Sequence, residues 1–133
     1  MTIQEILNTT DRFAANAGCQ ITEVDATHAV AEMTVTKEHL NAGGVCQGGA
    51  LFTLADLAMA ALMNHQGNLT FGISSNVMFL SSAKEGDCLR AEATLVNDHH
   101  KLPAIEVRVT NQDGRLICHL TGMGYRKDVP LGS

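Results

Sequence analysis

The sequence predicts an α+β domain in which an antiparallel sheet wraps around one long buried helix. Two observations predict it. Residues 48–63, GGALFTLADLAMAALM, are an unbroken run of mostly helix-favouring residues, apolar on every side rather than along one stripe. After it, apolar and polar residues alternate through stretches separated by turn-forming residues, the period of strands with one buried face. A chain of 133 residues fits one domain, 1–133, and leaves no room for a second of ordinary size.

An amphipathic helix opens the chain: Ile3, Ile6, Leu7, Phe13 and Ala14 share one face at helical spacing. Thr2 and Glu5 offer a capping box, and Gly18 a stop. Extended segments follow at about 19–25 and 28–36, the second setting Ala29, Ala31, Met33 and Val35 against His28, Val30, Glu32 and Thr34. A polar, glycine-containing loop, 41–47, leads into the apolar helix. At ~1.5 Å per residue that helix is too short to cross a bilayer, so it is read as a core helix buried all round. Strands then run over 70–80, 87–97, 104–110 and 115–125, and Asn111-Gln112-Asp113-Gly114 turns the last pair.

Composition removes several classes of function. Hydrophobic residues make up 45% of the chain but aromatic residues only 4%, with no Trp, so small apolar side chains must fill the core. The net charge is −5 and no run of Lys or Arg occurs; a nucleic-acid surface needs a basic face, and none is expected. No membrane partner is expected either, and the acidic N-terminal stretch does not read as a signal peptide. Cys19, Cys46, Cys88 and Cys118 show no CxxC spacing, which argues against a disulfide framework or zinc site and for the cytoplasm. Among the histidines only His99 and His100 adjoin, and on a strand they would point apart. No metal site is expected.

Two features carry chemistry. Asp56 is the one ionisable residue within the apolar helix; a carboxylate there is costly unless paired and tends to a raised pKa, which suits a general base or nucleophile as well as a structural cap. Gly48 and Gly49 open the same helix with no side chains in the way. Free N–H groups at a helix start can hold an oxyanion, although a glycine pair also serves close packing. Asp56 lies eight residues beyond Gly48, or ~12 Å along the helix. Both groups must approach a reacting carbonyl within ~3 Å, so one chain cannot bring both to it. If both are catalytic, the helix start of one subunit faces Asp56 of another across a two-fold axis. Cys46 is a weaker candidate nucleophile beside the helix start.

The stretch Asn41-Ala-Gly-Gly-Val-Cys-Gln47-Gly48-Gly49, the helix with Asp56, and Asn64, Gln66 and Gly67 after it resemble the PaaI-like (phenylacetyl-CoA thioesterase-type) hotdog family. The family pattern is N-x-x-G-x-x-H-G-G followed by an apolar helix with an Asp at this position. The resemblance implies a hotdog fold and hydrolysis of an aromatic or medium-chain acyl-CoA between paired subunits, in a dimer or dimer of dimers. It implies no metal, and no cofactor beyond the coenzyme A of the substrate. The Gly48 N–H would polarise the thioester carbonyl, with Gly49 beside it. Asp56 of the partner would activate water or attack directly, and Asn41 would hold the water. Gln47 stands where the family has His; it can hydrogen-bond but cannot titrate near neutral pH. Where some relatives carry Ser on the following strand this chain has Gly72, with Ser74 expected on the same face as a substitute. Two other readings of the fold are a non-catalytic acyl-CoA sensor, suggested by Gln47, and an acyl-CoA hydratase or dehydratase. The latter would need a His that is missing between His39 and His65.

Overall fold

A computed structural model describes residues 1–131. Helices α1 (Ile3–Thr10) and α2 (Arg12–Asn16) precede strands β1 (Gln20–Val24) and β2 (His28–Thr34). A short 3-10 turn (Lys37–His39) leads to α3 (Gly48–Met63), then β3 (Asn68–Phe79), β4 (Cys88–Asn97), β5 (Ala104–Thr110) and β6 (Leu116–Pro130). The strands form one sheet in the order β1-β2-β4-β5-β6-β3, every neighbouring pair antiparallel. Helix α3 packs against all six strands, so the expected helix-in-sheet architecture is present.

Small residues make that seating close. Gly122 and Gly124 on β6 lie opposite Met59 and Met63 of α3, and a Cβ at either would run into the methionine sulfur. Leu54, Leu57, Met59 and Met63 are at most 2% exposed, each worth about 1.5–3 kcal/mol of burial. Three expectations need correction. The opening helix is broken at Asp11, whose backbone (φ −79°, ψ 83°) ends α1 while its carboxylate caps α2. Phe13 therefore leaves the buried face and is 75% exposed. Helix α3 is not buried all round: Gly49, Phe52, Thr53, Asp56 and Ala60 form a partly open stripe, because only part of that face is covered by α1 and α2. His99 and His100 lie in a turn rather than a strand, and their rings stack at 4.5 Å.

The two ends of α3 are treated differently. At the carboxyl end the Asn64 amide donates to the Ala60 and Thr70 carbonyls (2.8 and 3.1 Å) and accepts the Thr70 N–H (2.8 Å). Arg126, 8% exposed, donates to the Met63 carbonyl, the His100 carbonyl and the Thr70 hydroxyl (3.1, 3.1 and 3.3 Å). The family-like Asn64 is thus a clamp on the helix end, and Arg126 is spent on structure. At the amino end Gln47 makes no side-chain cap. Edge strand β3 runs from the carboxyl end, where Thr70 meets Asn64, to the amino end, where Phe79 meets Gly48, and exposes Phe71, Ile73, Met78 and Phe79, each about half accessible.

Arg126→Ala should lower unfolding free energy by about 2–4 kcal/mol, since it strips donors from buried acceptors. Arg126→Lys should recover less than half, one ammonium being unable to reach all three. Urea titration reads both; a loss below about 0.5 kcal/mol for the alanine variant would show that the clamp is not structural.

Candidate active site

The 41–47 loop is held by its own backbone and by Asn41. The Asn41 Oδ1 accepts the N–H groups of Gly43 and Val45 (2.9 and 3.2 Å), an Asx-type turn in which its Nδ2 makes no hydrogen bond among the described residues. Gln47 donates its N–H to the His39 carbonyl (2.7 Å). His39 in turn is fixed at both ring nitrogens: Nδ1 accepts the Thr36 N–H (2.9 Å) and Nε2 donates to the Ala17 carbonyl (2.6 Å). The loop therefore delivers α3 with its first N–H groups unobstructed. Among the described residues neither Gly48 nor Gly49 N–H has an acceptor, while the N–H groups of Ala50 and Leu51 turn back to the Gln47 carbonyl. Aligned peptide dipoles add a partial positive charge there.

Added side chains at the two glycines would meet different neighbours. A Cβ at Gly48 would come to 3.0 Å from the Phe79 ring, and one at Gly49 would meet the Gln47 side-chain oxygen at 2.5 Å. Gln47 thus folds its amide over Gly49. Asn41 and Gly48 line one cavity of about 370 Å3 with Cys46, Leu51 and Phe79. Gln47 and Gly49 line a second, of about 460 Å3, with His39, Ala50 and Thr53.

Asp56 opens on a third, a cleft of about 380 Å3 that it shares with Asp11, Phe13, Gly49, Phe52 and Thr53. Its carboxylate takes no hydrogen bond among the described residues. Burial pushes its pKa up, and the charge of Asp11 pushes the same way. A raised carboxylate without an internal partner has the properties of a base or nucleophile waiting for a ligand. The Gly48 and Asp56 cavities are different ones, as the ~12 Å helix spacing requires.

The strand residues fare differently. A bulge lies between Gly72 and Ser74. Gly72 pairs with Gly124 and faces Met59, but Ser74 pairs with Met123 on the opposite face; Ser75, paired with Gly122, shares the side of Gly72. The expectation that Ser74 shares the face of Gly72 is therefore corrected. Neither residue lines the three cavities. Cys46 is buried and its thiol pushed up by that burial, the reverse of an activated nucleophile. Among the described residues no group of three or more His, Cys, Asp and Glu is placed to hold a metal. Asp11 was not expected near the site and Phe13 was expected on the buried helix face; the helix-capping pattern Asp11-x-x-Ala14 was the signal that could have found the break.

The sequence profile of the thioesterase superfamily matches residues 43–118. The chain is similar to a putative esterase of Archaeoglobus fulgidus, 36% identical over 124 residues, 93% of this chain and 80% of that one. It is also similar to acyl-coenzyme A thioesterase PaaI of Escherichia coli, 32% identical over 116 residues, 87% and 83% of the two chains. The solved structure of E. coli PaaI superposes with a TM-score of 0.91 over 95% of this chain and 91% of that one, at 29% identity. A Streptococcus pneumoniae hypothetical thioesterase, solved with coenzyme A, gives 0.82 at 25% identity over 90% and 96%.

Carbon-detected NMR titration of the Asp56 carboxyl should give a midpoint above the ordinary carboxylate range. Asp11→Asn keeps the α2 cap but removes its charge, so the midpoint should fall. An unchanged midpoint would show that Asp11 does not act on Asp56.

Proposed function

This chain belongs to the thioesterase superfamily and is a thioester hydrolase, and from that premise we propose that it cleaves an aromatic or medium-chain acyl-CoA in a site assembled from two subunits. The observation that carries the proposal is the pair of unpartnered groups on α3: free N–H groups at Gly48 and an unpaired, pKa-raised carboxylate at Asp56. They are the two things acyl transfer needs, held too far apart for one chain to use on one carbonyl. The exposed apolar edge β3 supports pairing of subunits. Its Phe79 touches the Gly48 position, so an antiparallel partner docked on that edge would come up against the helix start. The dimer suffices for the chemistry, and the family resemblance extends it to a dimer of dimers. The coenzyme A bound by the pneumococcal relative supports an acyl-CoA substrate. Four free cysteines support a cytoplasmic location, and no helix among the described residues is long and apolar enough to cross a membrane.

In this reading the thioester oxygen accepts the Gly48 N–H of one subunit, with Gly49 alongside. The Asn41 amide, whose Nδ2 makes no hydrogen bond among the described residues, holds the attacking water. Asp56 of the partner takes the proton of that water as its oxygen adds to the carbonyl carbon. Collapse of the tetrahedral intermediate breaks the C–S bond, and the departing thiolate recovers the proton. If Asp56 attacks directly, a mixed anhydride forms and water then opens it; the products are the same acid and free coenzyme A. Gln47 orients the loop by its N–H bond to His39 and its amide over Gly49, and moves no proton. Gly72 faces Met59 closely and Ser74 lies on the outer face of β3, so neither is given a part in the reaction.

Asp56→Asn should lower kcat/KM for acyl-CoA, followed by thiol release, about a thousandfold. The same change should raise the melting temperature at neutral pH. A carboxyl whose folded pKa is raised costs stability once pH passes the ordinary carboxylate range, so the gain should vanish in acid, where both states are protonated. Unchanged hydrolysis would remove Asp56 from the reaction.

Gln47→His should keep the fold and alter kcat/KM by less than ~100-fold, with no new inflection near pH ~6.5. A large gain carrying that inflection would mean that position 47 is made for proton transfer and that the native chain binds rather than cleaves.

A further inference from the structure

We propose that Phe13 is a specificity-determining residue, its ring forming the wall against which the acyl group of the substrate packs in the subunit that supplies Asp56. The inference rests on the hydrolase reading above. It begins with a large apolar side chain where none should be: Phe13 is 75% exposed, although helical periodicity continued from α1 would bury it. The break at Asp11 turns it outward, and the turn that carries it is held at both ends. Asp11 Oδ1 accepts the Ala14 N–H (3.2 Å) at its start, and His39 Nε2 donates to the Ala17 carbonyl (2.6 Å) at its end. The ring is presented by a fixed support rather than a loose terminus.

Its position is what gives the exposure meaning. Phe13 borders both the 380 Å3 cleft of Asp56 and the 460 Å3 cavity of Gln47, and the two also share Gly49 and Thr53. They form one groove along the open stripe of α3, in the size range of small-molecule sites. A carbonyl within reach of Asp56 must send its acyl group into the space beside that carboxylate. The large apolar surfaces there are Phe13 and Phe52, and aromatic walls suit a ring or a methylene chain.

The test uses stable ketone analogues of the substrates, in which a methylene separates sulfur from the carbonyl, so that binding is read without turnover. Calorimetric Kd is measured for the analogues of phenylacetyl-CoA and of acetyl-CoA, with wild type, Phe13→Ala and Phe13→Leu. Phe13→Ala should weaken the phenylacetyl analogue at least ~10-fold and the acetyl analogue less than ~2-fold, with Phe13→Leu between. In turnover, kcat/KM should fall by the same ratio for phenylacetyl-CoA and hold for acetyl-CoA. Equal losses on both analogues, no loss on either, or no binding of the phenylacetyl analogue by wild type would overturn the proposal. So would a loss that appears only with a changed sedimentation coefficient, which would make Phe13 a subunit contact. Selective, Phe13-dependent binding without any thioester cleavage would sink the hydrolase reading and leave this one standing. Unaltered selectivity in an active enzyme would do the reverse.

Discussion

Asn64 and Arg126 bolt the carboxyl end of α3 to β3 and to the turn before β5, and the glycines of β6 let the helix sink against the sheet. Everything functional follows from this one-ended attachment. The Ala60, Leu62 and Met63 carbonyls are bonded at that end, and the helix flank packs against the strands. Its other end is then free to keep unspent N–H groups, which a structural cap at position 47 would otherwise have consumed. The rigid rise of the helix sets the gap between those donors and Asp56. A loop could have closed that gap within one chain; a pinned helix leaves it to symmetry.

The same arrangement explains why an apolar helix tolerates a carboxylate. Asp56 lies on the stripe that neither the sheet nor α1 and α2 fully cover, so it is desolvated enough to raise its pKa and open enough to meet a ligand. Asp11 adds a like charge across the cleft, which raises the pKa further than burial alone. The cost in folding free energy is carried by the core of leucines and methionines beneath. Fold and reactivity thus oppose each other at one residue and are balanced by its neighbours.

Much of this was legible in the sequence because it depends on local pattern. Residues 48–63 read as a helix, and the structure has the same bounds; the alternating stretches became strands, and Asp56 stood out as a charge in an apolar run. The illegible parts are those decided by a single residue's backbone or by a distant partner. Asp11 ends one helix and caps the next, so periodicity carried across it put Phe13 on the wrong face. The bulge at β3 inverts the alternation after Gly72 and hands the inner face to Ser75 instead of Ser74. The role of Arg126 was invisible because its acceptors lie on Met63, Thr70 and His100, far away in the chain. The open stripe of α3 was hidden because Gly49, Phe52 and Ala60 are apolar, and composition cannot tell an uncovered apolar residue from a buried one.

Complementation between two inactive chains decides whether one site takes its N–H donors from one subunit and its carboxylate from the other. Asp56→Asn lacks the carboxylate. Gly48→Pro lacks the donor, and proline suits a first helical position. Gln47 already has the backbone that precedes proline (φ −67°, ψ 141°), and a Cβ at position 48 meets the Phe79 ring, a side chain that can shift. Each homodimer should be inactive. Refolded together in equal amounts, about half the dimers should be mixed, each with one intact site of two, so activity should return to about a quarter of wild type. No recovery in a preparation shown by mass to contain folded mixed dimers would contradict the account.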